Sequence, residues 1–388
     1  MKAAGRIRVV TLIDRLVQGG AERLAVQITS RLDPERFDRT ICVTRWSDAA
    51  HADFAPAVAQ ARADLDAADV RFLGLTRRGR TDVAAWRPLV RQLRNEHTHV
   101  VHGHMIGSNI AAVVMGRLAR VPIVVSHEHS WAFTGSSWRI PVDRYLIAGR
   151  SDVLLACSRE DERRMVELEG IRPDQVRFIP NGIDAQPPTP GRSLRDELGI
   201  APGVPVIGSV GTLRPEKRFD VLLEATARAR DARPGLRVLI AGEGPERAAL
   251  EAQIKRLGLE DVVTLLGSRT DVPDILAALD IAVVCSDFEG SPLSVMEYMD
   301  AALPVVGSRV GGIPDLVEDG VHGMLVERRD PRALSDALVA LLDDPARRKA
   351  LGEAARARRR AEFDLDQTVR QIEDLYATLL DRRGITVA

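Results

Sequence analysis

Thirteen short apolar runs, most of them rich in β-branched residues, punctuate this chain, and longer helical patterns separate them from end to end. The first half contributes IRVVTLI, RTICVTRW, VRFLGL, THVVHGHM, PIVVSHEH, DVLLACS and VRFIPNG. The second contributes VPVIGSVG, LRVLIAGEG, VVTLLG, IAVVCSD, LPVVGS and GMLVE. A short unbroken apolar run reads as a strand covered on both faces, and alternation with helices places such strands in parallel sheets. One stretch breaks the rhythm: DAQPPTPGRS, residues 184–193, holds three prolines and a glycine and reads as a linker. With 388 residues to distribute, the expected fold class is α/β, with two doubly wound domains in series over 1–185 and 190–365.

Several classes of function are excluded early. Through residue 185 there are 27 basic and 22 acidic side chains, and beyond it 27 and 33. Neither half is basic enough to make nucleic acid the default partner. Cys42, Cys157 and Cys285 sit in the apolar settings TICV, LACS and VVCS, so they read as small core residues, and a reducing cytosol is expected. Charges interrupt the apolar run of MKAAGRIRVVTLIDRL, unlike a secretory signal, and no apolar stretch approaches the roughly 20 residues that span a bilayer.

Ligands of open α/β sheets bind beyond the carboxyl ends of the strands. Three such corners are rich in glycine and charge: GTLRPEKRFD, AGEGPER and SDFEGSPLSVMEYM. The last carries Glu289 and Glu297, eight positions apart. That spacing alone is uninformative, because Glu216/Glu224 and Glu243/Glu251 share it. Context separates them. Ser291 followed by Pro292 predicts a helix start, with Ser as N-cap and Pro at the first helical position. The unpaired N–H groups of its first turn, those of Leu293 and Ser294 among them, form an anion site suited to a diphosphate. Glu289 precedes that start, and Glu297 lies about 8 Å along the helix at about 1.5 Å per residue. A carboxylate accepts two hydroxyl donors at once, so one glutamate for a sugar and one for a ribose fits a nucleotide-sugar.

With these residues the chain resembles the retaining GT-B glycosyltransferases of family four, the glycosyl transferases group 1. Their second domain ends a strand with Glu, seven intervening residues and Glu, followed by a motif similar to LPVVGSRVGGIPDLVEDGVHG. The resemblance implies two Rossmann-like domains facing across a cleft, the first on the acceptor side. It implies that Glu289 contacts donor-sugar hydroxyls, Glu297 the ribose, and Arg214 with Lys217 the diphosphate. Two cations and helix N–H groups are the device that meets the charge of a departing nucleoside diphosphate. Gly211 permits close backbone approach. Two positions depart from the family's frequent glycines: Arg218, and Ala302 in MDAALPVV.

In the first half, Gly19 and Gly20 precede a helix carrying Glu22 and Arg23. The resemblance lays this loop against the donor phosphates. Six histidines between His97 and His129 form three His-x-His pairs, and positions i and i+2 of a strand share a face. A metal site is one reading, although zinc sites usually add a carboxylate or thiolate. By resemblance His127, in VVSHEHS, is a hydrogen-bonding group near the donor sugar, with Glu128 and His129 as neighbours. His102 and His104 line the acceptor side or are structural. The DLD triplets at 64–66 and 364–366 follow no strand and read as surface or cap residues.

The expected activity is transfer of a hexose or N-acetylhexosamine from a nucleoside diphosphate sugar, UDP favoured, to an acceptor hydroxyl with retention of configuration. The resemblance points to surface polysaccharide or glycolipid synthesis. The nucleotide-sugar is a co-substrate, and no cofactor or metal requirement is expected. A nucleotide-sugar epimerase of the same architecture and a non-catalytic sugar-binding protein are the rivals. A dehydrogenase is weaker, because GSVGTL and GEGPER do not spell G-x-G-x-x-G. By the resemblance a C-terminal helix, from about 366, crosses back onto the first domain.

One further stretch bears on location. Between Arg71 and Arg94 stand seven arginines against a single acidic residue, Asp82. Arg77, Arg78 and Arg80 fall in a loop, and Arg87, Arg91 and Arg94 at helical spacing. Two readings stay open: a solvated basic stripe on a cytosolic protein, or peripheral docking on the anionic inner face of the cell membrane.

Overall fold

The computed structural model describes residues 5–16, 19–47, 55–77, 79, 82–129, 138–185 and 194–387. It divides into two compact units, Met1–Asn181 with Leu365–Ala388, and Gly182–Asp364. Of the linker read at 184–193, residues 186–193 lie outside the described residues, as do Arg78 and Arg80.

The first unit is built on β1 (Ile7–Ile13), β2 (Phe37–Val43), β3 (Arg71–Gly74), β4 (Val100–His104), β5 (Ile123–Glu128), β6 (Val153–Ala156) and β7 (Val176–Phe178). They pair in parallel in the order β3-β2-β1-β4-β5-β6-β7. Both faces are covered, which is why the runs are apolar without alternation. On one face the helices Arg87–Asn95 and Met105–Ala119 bury Leu89, Leu93, Ala112 and Val113 against Val10, Leu12, Val101 and Val124. Each such leucine contributes about 1.5–3 kcal/mol. On the other face Ala25 and Val26 of the helix Gly20–Arg31 and Leu65 of the helix Ala55–Ala67 pack on Ile13, Ile41 and Val43.

The chain's last helix, Leu365–Arg382, belongs to this unit and lies on the helix Gly20–Arg31 and on β5. Arg31 pairs with Asp366 at 2.8 Å and Arg36 with Glu373 at 3.1 Å. Tyr376 is fully buried edge-on to Phe37, at 6.1 Å between centroids. A sheet face left open by sequence-local helices is therefore covered by the far end of the chain.

The second unit holds β8 (Val206–Val210), β9 (Arg237–Ala241), β10 (Val263–Gly267), β11 (Ile281–Val284), β12 (Val305–Ser308) and β13 (Gly323–Val326). These are parallel in the order β10-β9-β8-β11-β12-β13. Strand order reverses between β1 and β4 in the first sheet and between β8 and β11 in the second, and such switch points open crevices at the strand ends.

Arg218 and Ala302 adopt φ of +52° and +57°. Both positions lie in the left-handed region where a Cβ is strained, which is the physical reason glycine is frequent there. In Ala302 the residue follows the helix Leu293–Asp300 and closes it through its N–H to Met299 O at 3.0 Å.

Candidate active site

The two corners at the second switch point are tied together through the backbone. Asp287 N–H donates to Glu216 O at 2.8 Å, and the Cys285 thiol donates to Lys217 O and Arg218 O at 3.3 and 3.1 Å. Across this seam Lys217 Nζ donates to Glu289 Oε1 at 2.6 Å, and Ser286 Oγ donates to the same oxygen at 2.6 Å. Arg214 projects beside them, its side chain 60% exposed and only 4.0 Å from Glu216. Among the described residues, the corner therefore presents Arg214 as an exposed, loosely paired cation, with Lys217 and Arg218 held more closely by carboxylates.

Glycines set the depth of this site. Gly311 has φ +50°, and a Cβ there would sit 1.8 Å from Glu289 O, while Gly312 N–H donates to that same oxygen at 3.1 Å. The Gly-Gly pair thus clamps the backbone of Glu289. Gly242 lies so close to the corner after β8 that its Cβ would meet Gly211 O at 1.9 Å, and Gly211 N–H donates to Ala241 O at 2.9 Å.

The expected helix start needs a correction. The helix spans Leu293–Asp300, and Pro292, with φ −70° and ψ 117°, occupies the N-cap position; no side chain caps it. Extended ψ at Pro292 delays the helix by one residue, so Ser291 lies outside it. Leu293 and Ser294 are the first two helical residues, as an N–H anion site requires. Glu297 is 9% exposed on this helix, and the next residue, Tyr298, hydrogen-bonds both polar groups of Val210 at the end of β8. Burial pushes the Tyr298 phenol up to about 12, keeping it neutral.

Sequence reasoning missed a supporting network. Asp287 receives Arg329 Nε and Nη2 at 2.7 and 2.6 Å and Arg218 Nη1 at 3.4 Å. The Arg329 hydrogen bonds, with Arg218 adding to them, hold the Asp287 carboxyl below its ordinary range. Arg329 follows β13, far along the chain, and carries φ +59°. No feature of the sequence marks Arg329 as a partner of Asp287.

In the first unit Gly19 is the N-cap of the helix Gly20–Arg31, so Gly20 is helical rather than loop. His102, His104 and His127 are fully buried on one face of β4 and β5, where His104 pairs in register with His127. His129 continues the row. The His102/His104 and His127/His129 rings stack, with centroids 4.3 and 4.2 Å apart, and His104 and His127 are tilted by 37° at 5.1 Å. His102 Nδ1 meets the Tyr376 hydroxyl at 2.6 Å, and His104 Nδ1 meets His129 Nε2 at 2.9 Å. Both nitrogens of His127 lack partners, as do Nε2 of His102 and of His104. Burial, with repulsion from neighbouring histidines added at His102, His104 and His127, lowers all four below their ordinary value, His129 to about 4 by burial alone, so they are neutral at pH 7.

Ligand nitrogens of His102, His104 and His127 lie within 4.8 Å of one another. A zinc ion needs its nitrogens at about 2.0–2.1 Å, with lone pairs converging. Here the rings lie 8–37° from parallel, which runs their in-plane lone pairs side by side. The remaining pair separates from the row: His97 is exposed with φ +45°, and His99 Nδ1 accepts Arg8 N–H at 2.9 Å.

Glu128, beside His127, is raised by burial to about 8, with Arg139 at 3.0 Å opposing the shift. Asn109, which sequence reasoning overlooked, bonds Glu128 Oε1 at 2.8 Å and accepts the His127 N–H at 3.1 Å. Of the basic stripe, Arg87, Arg91 and Arg94 are exposed on their helix. Arg77 is not free: it is half-buried, with its guanidinium 4.4 Å over the Trp86 ring. Among the described residues, no helix is long and apolar enough to cross a membrane.

Doubly wound sheets with charged corners at their switch points define a class of α/β proteins that bind ligands at the strand ends, and comparison with known proteins narrows it. The glycosyl transferases group 1 family matches residues 192–358, and glycosyltransferase family 4 matches residues 18–187. A D-inositol 3-phosphate glycosyltransferase of Nocardia farcinica is 34% identical over 256 residues, 62% of this chain and 56% of that protein. The enzyme of the same name from Corynebacterium glutamicum is 30% identical over 300 residues, 71% of each chain. The crystal structure of Anabaena HepE in complex with UDP and glucose shares the fold, with a TM-score of 0.83, 22% identity, and coverage of 96% of this chain and 100% of that one. The chain belongs to the glycosyltransferases of group 1, family 4, and its fold is GT-B.

Proposed function

We propose that this glycosyltransferase moves a hexose or N-acetylhexosamine from a UDP-sugar to an acceptor hydroxyl with retention of configuration, in the synthesis of a surface polysaccharide or glycolipid. One observation carries the reading: Lys217 lies against Glu289 at 2.6 Å, beside the exposed Arg214 and ahead of the buried helix that holds Glu297. Arg214, Lys217 and the N–H groups of Leu293 and Ser294 take the diphosphate. Glu297 takes the ribose hydroxyls, and Glu289 those of the sugar. Gly19, Gly20 and Gly211 allow backbone to approach the donor, and the neutral His127 hydrogen-bonds the sugar. That UDP and glucose occupy a protein of the same fold supports the choice of donor.

In the reaction the bond between the anomeric carbon and the phosphate oxygen breaks, and its electron pair leaves with UDP. The acceptor oxygen bonds that carbon on the same face, and its proton passes to the departing phosphate, so no strong protein base is needed. A thermal-shift screen of UDP-, GDP- and ADP-sugars identifies the donor by mass action. NMR of the product's anomeric proton then tests stereochemistry, and an inverted product overturns retention. Conversion of donor without any acceptor would overturn transfer in favour of epimerisation.

A further inference from the structure

The His127 ring has no hydrogen bond to hold it: among the described residues neither of its nitrogens has a partner. Its direction therefore follows from its main chain. That main chain occupies the last rung between β4 and β5, where His127 stands in register with His104. Here β4 ends, the chain turns at Met105, with φ +68°, into the helix Met105–Ala119, and Asn109 of that helix reaches back to the rung. Asn109 Oδ1 accepts the His127 N–H at 3.1 Å, and Nδ2 donates to His127 O at 3.3 Å. One side-chain amide thus bonds both main-chain groups of one residue.

Nothing local places an asparagine here. It is a poor residue for a helix interior, and Asn109 is fully buried in the second turn. The room for it comes from Gly103 of β4, where a Cβ would sit 2.9 Å from Asn109 Oδ1 and 2.7 Å from Ser108 O. The amide has one orientation, because only its oxygen can accept the His127 N–H. Its nitrogen then also meets Glu128 Oε1, at 2.8 Å. Arg139 Nη2 donates to the other Glu128 oxygen at 3.0 Å, and Arg139 Nε donates to Asp143 Oδ2 at 3.0 Å, so the amide is itself held from behind. Buried polar chains whose members are bonded to one another in this way are rigid.

We propose that Asn109 is a positioning residue: by clamping the main chain of His127 it fixes where the His127 ring meets the sugar of the nucleotide-sugar donor. The inference rests on the donor-sugar contact proposed for His127. Asn109, fully buried, acts through His127 alone. The rings of His104 and His129, with centroids 5.1 and 4.2 Å from that of His127, confine the ring sideways once its main chain is set. A hydrogen-bonding group placed in advance loses little freedom on binding, so the clamp adds to affinity for the sugar and not for UDP.

The test reads sugar binding and needs no acceptor. Titration calorimetry compares UDP with UDP-glucose and UDP-N-acetylglucosamine, and the ratio of affinities for sugar nucleotide and UDP reports the sugar alone. His127→Phe, which keeps a ring and removes its nitrogens, should reduce that ratio about fivefold, the share of one neutral hydrogen bond. Asn109→Ala should reduce it by a similar factor, with UDP itself bound within about twofold of native. The double variant should be no worse than His127→Phe, because the clamp then has nothing to place. Asn109→Asp keeps the acceptor for the His127 N–H and should retain part of the ratio; it carries the same cycle if Asn109→Ala loses its native circular dichroism. A native protein that binds neither sugar nucleotide, or an unchanged ratio in His127→Phe, overturns the donor contact and this inference with it. A reduced ratio in His127→Phe, with the Asn109 defect multiplying in full in the double variant, leaves the contact standing and overturns the clamp. So does an unchanged ratio in Asn109→Ala, whether UDP binding is kept or lost.

Discussion

Replacing Glu289 by Gln separates two roles that a contact map would merge. Lys217 Nζ and Glu289 Oε1 stand 2.6 Å apart, with side chains 27% and 10% exposed. That is between an exposed pair, worth about 0.2–1 kcal/mol, and a buried one whose rupture costs about 3–5 kcal/mol. A coupling of about 1–2 kcal/mol follows, and under the proposed function UDP has to overcome it to recruit Lys217. Gln at this position keeps an oxygen for the Ser286 hydroxyl, now 2.6 Å from Oε1, but loses the charge that competes with the diphosphate. Glu289→Gln should therefore bind UDP about fivefold more tightly, while its kcat for transfer falls because the sugar loses a carboxylate acceptor. Lys217→Ala removes a charge-assisted hydrogen bond of about 1.5–3 kcal/mol, partly offset by the lost competition, so UDP should weaken about tenfold. Titration calorimetry with UDP, on variants of native circular dichroism, measures both. If Glu289→Gln weakens UDP as much as Lys217→Ala does, the carboxylate belongs to the phosphate site and the division of roles is wrong.

Gly311→Ala forces a Cβ to within 1.8 Å of Glu289 O at φ +50°, so it should lower kcat sharply and cost several kcal/mol; an unchanged urea midpoint would contradict the clamp. Ala302→Gly relieves a left-handed residue with φ +57° and should add about 1 kcal/mol of stability by urea denaturation, against the usual sign for glycine. Stability should peak near neutral pH. The four stacked histidines are lowered in the folded state, so the unfolded chain binds more protons below about 6.5, and stability falls on acidification by about 1.4 kcal/mol per pH unit for each histidine titrating. Glu128, raised to about 8, contributes the opposite slope between its unfolded value and 8, a single proton against several. Urea midpoints from pH 4 to 8 measure the profile, and His104→Asn should flatten its acid limb; a flat profile in the native protein would refute the neutral cluster.

What the sequence determined alone was whatever depends on local pattern. Each of the thirteen apolar runs became a parallel strand, because a strand covered on both faces needs β-branched residues without alternation, and that requirement is visible within a few positions. Glycine-rich strand ends were legible for the same reason. The corner around Glu289 stood out because Gly, Ser and Pro announce a loop entering a helix, although the ψ of Pro292 moved the start by one residue. Tertiary structure alone decided which distant groups meet. No spacing could indicate that Arg329 would grip Asp287 or that Asn109 would brace His127 and Glu128. The same holds for the surface beside the basic stripe. Arg87, Arg91 and Arg94 are periodic on one helix, but Leu118 and Tyr145 join them only because three segments share a sheet face. Periodicity records which side of an element is wet; what stands beside that side is settled by strand order, and strand order follows from how the whole chain covers its sheets.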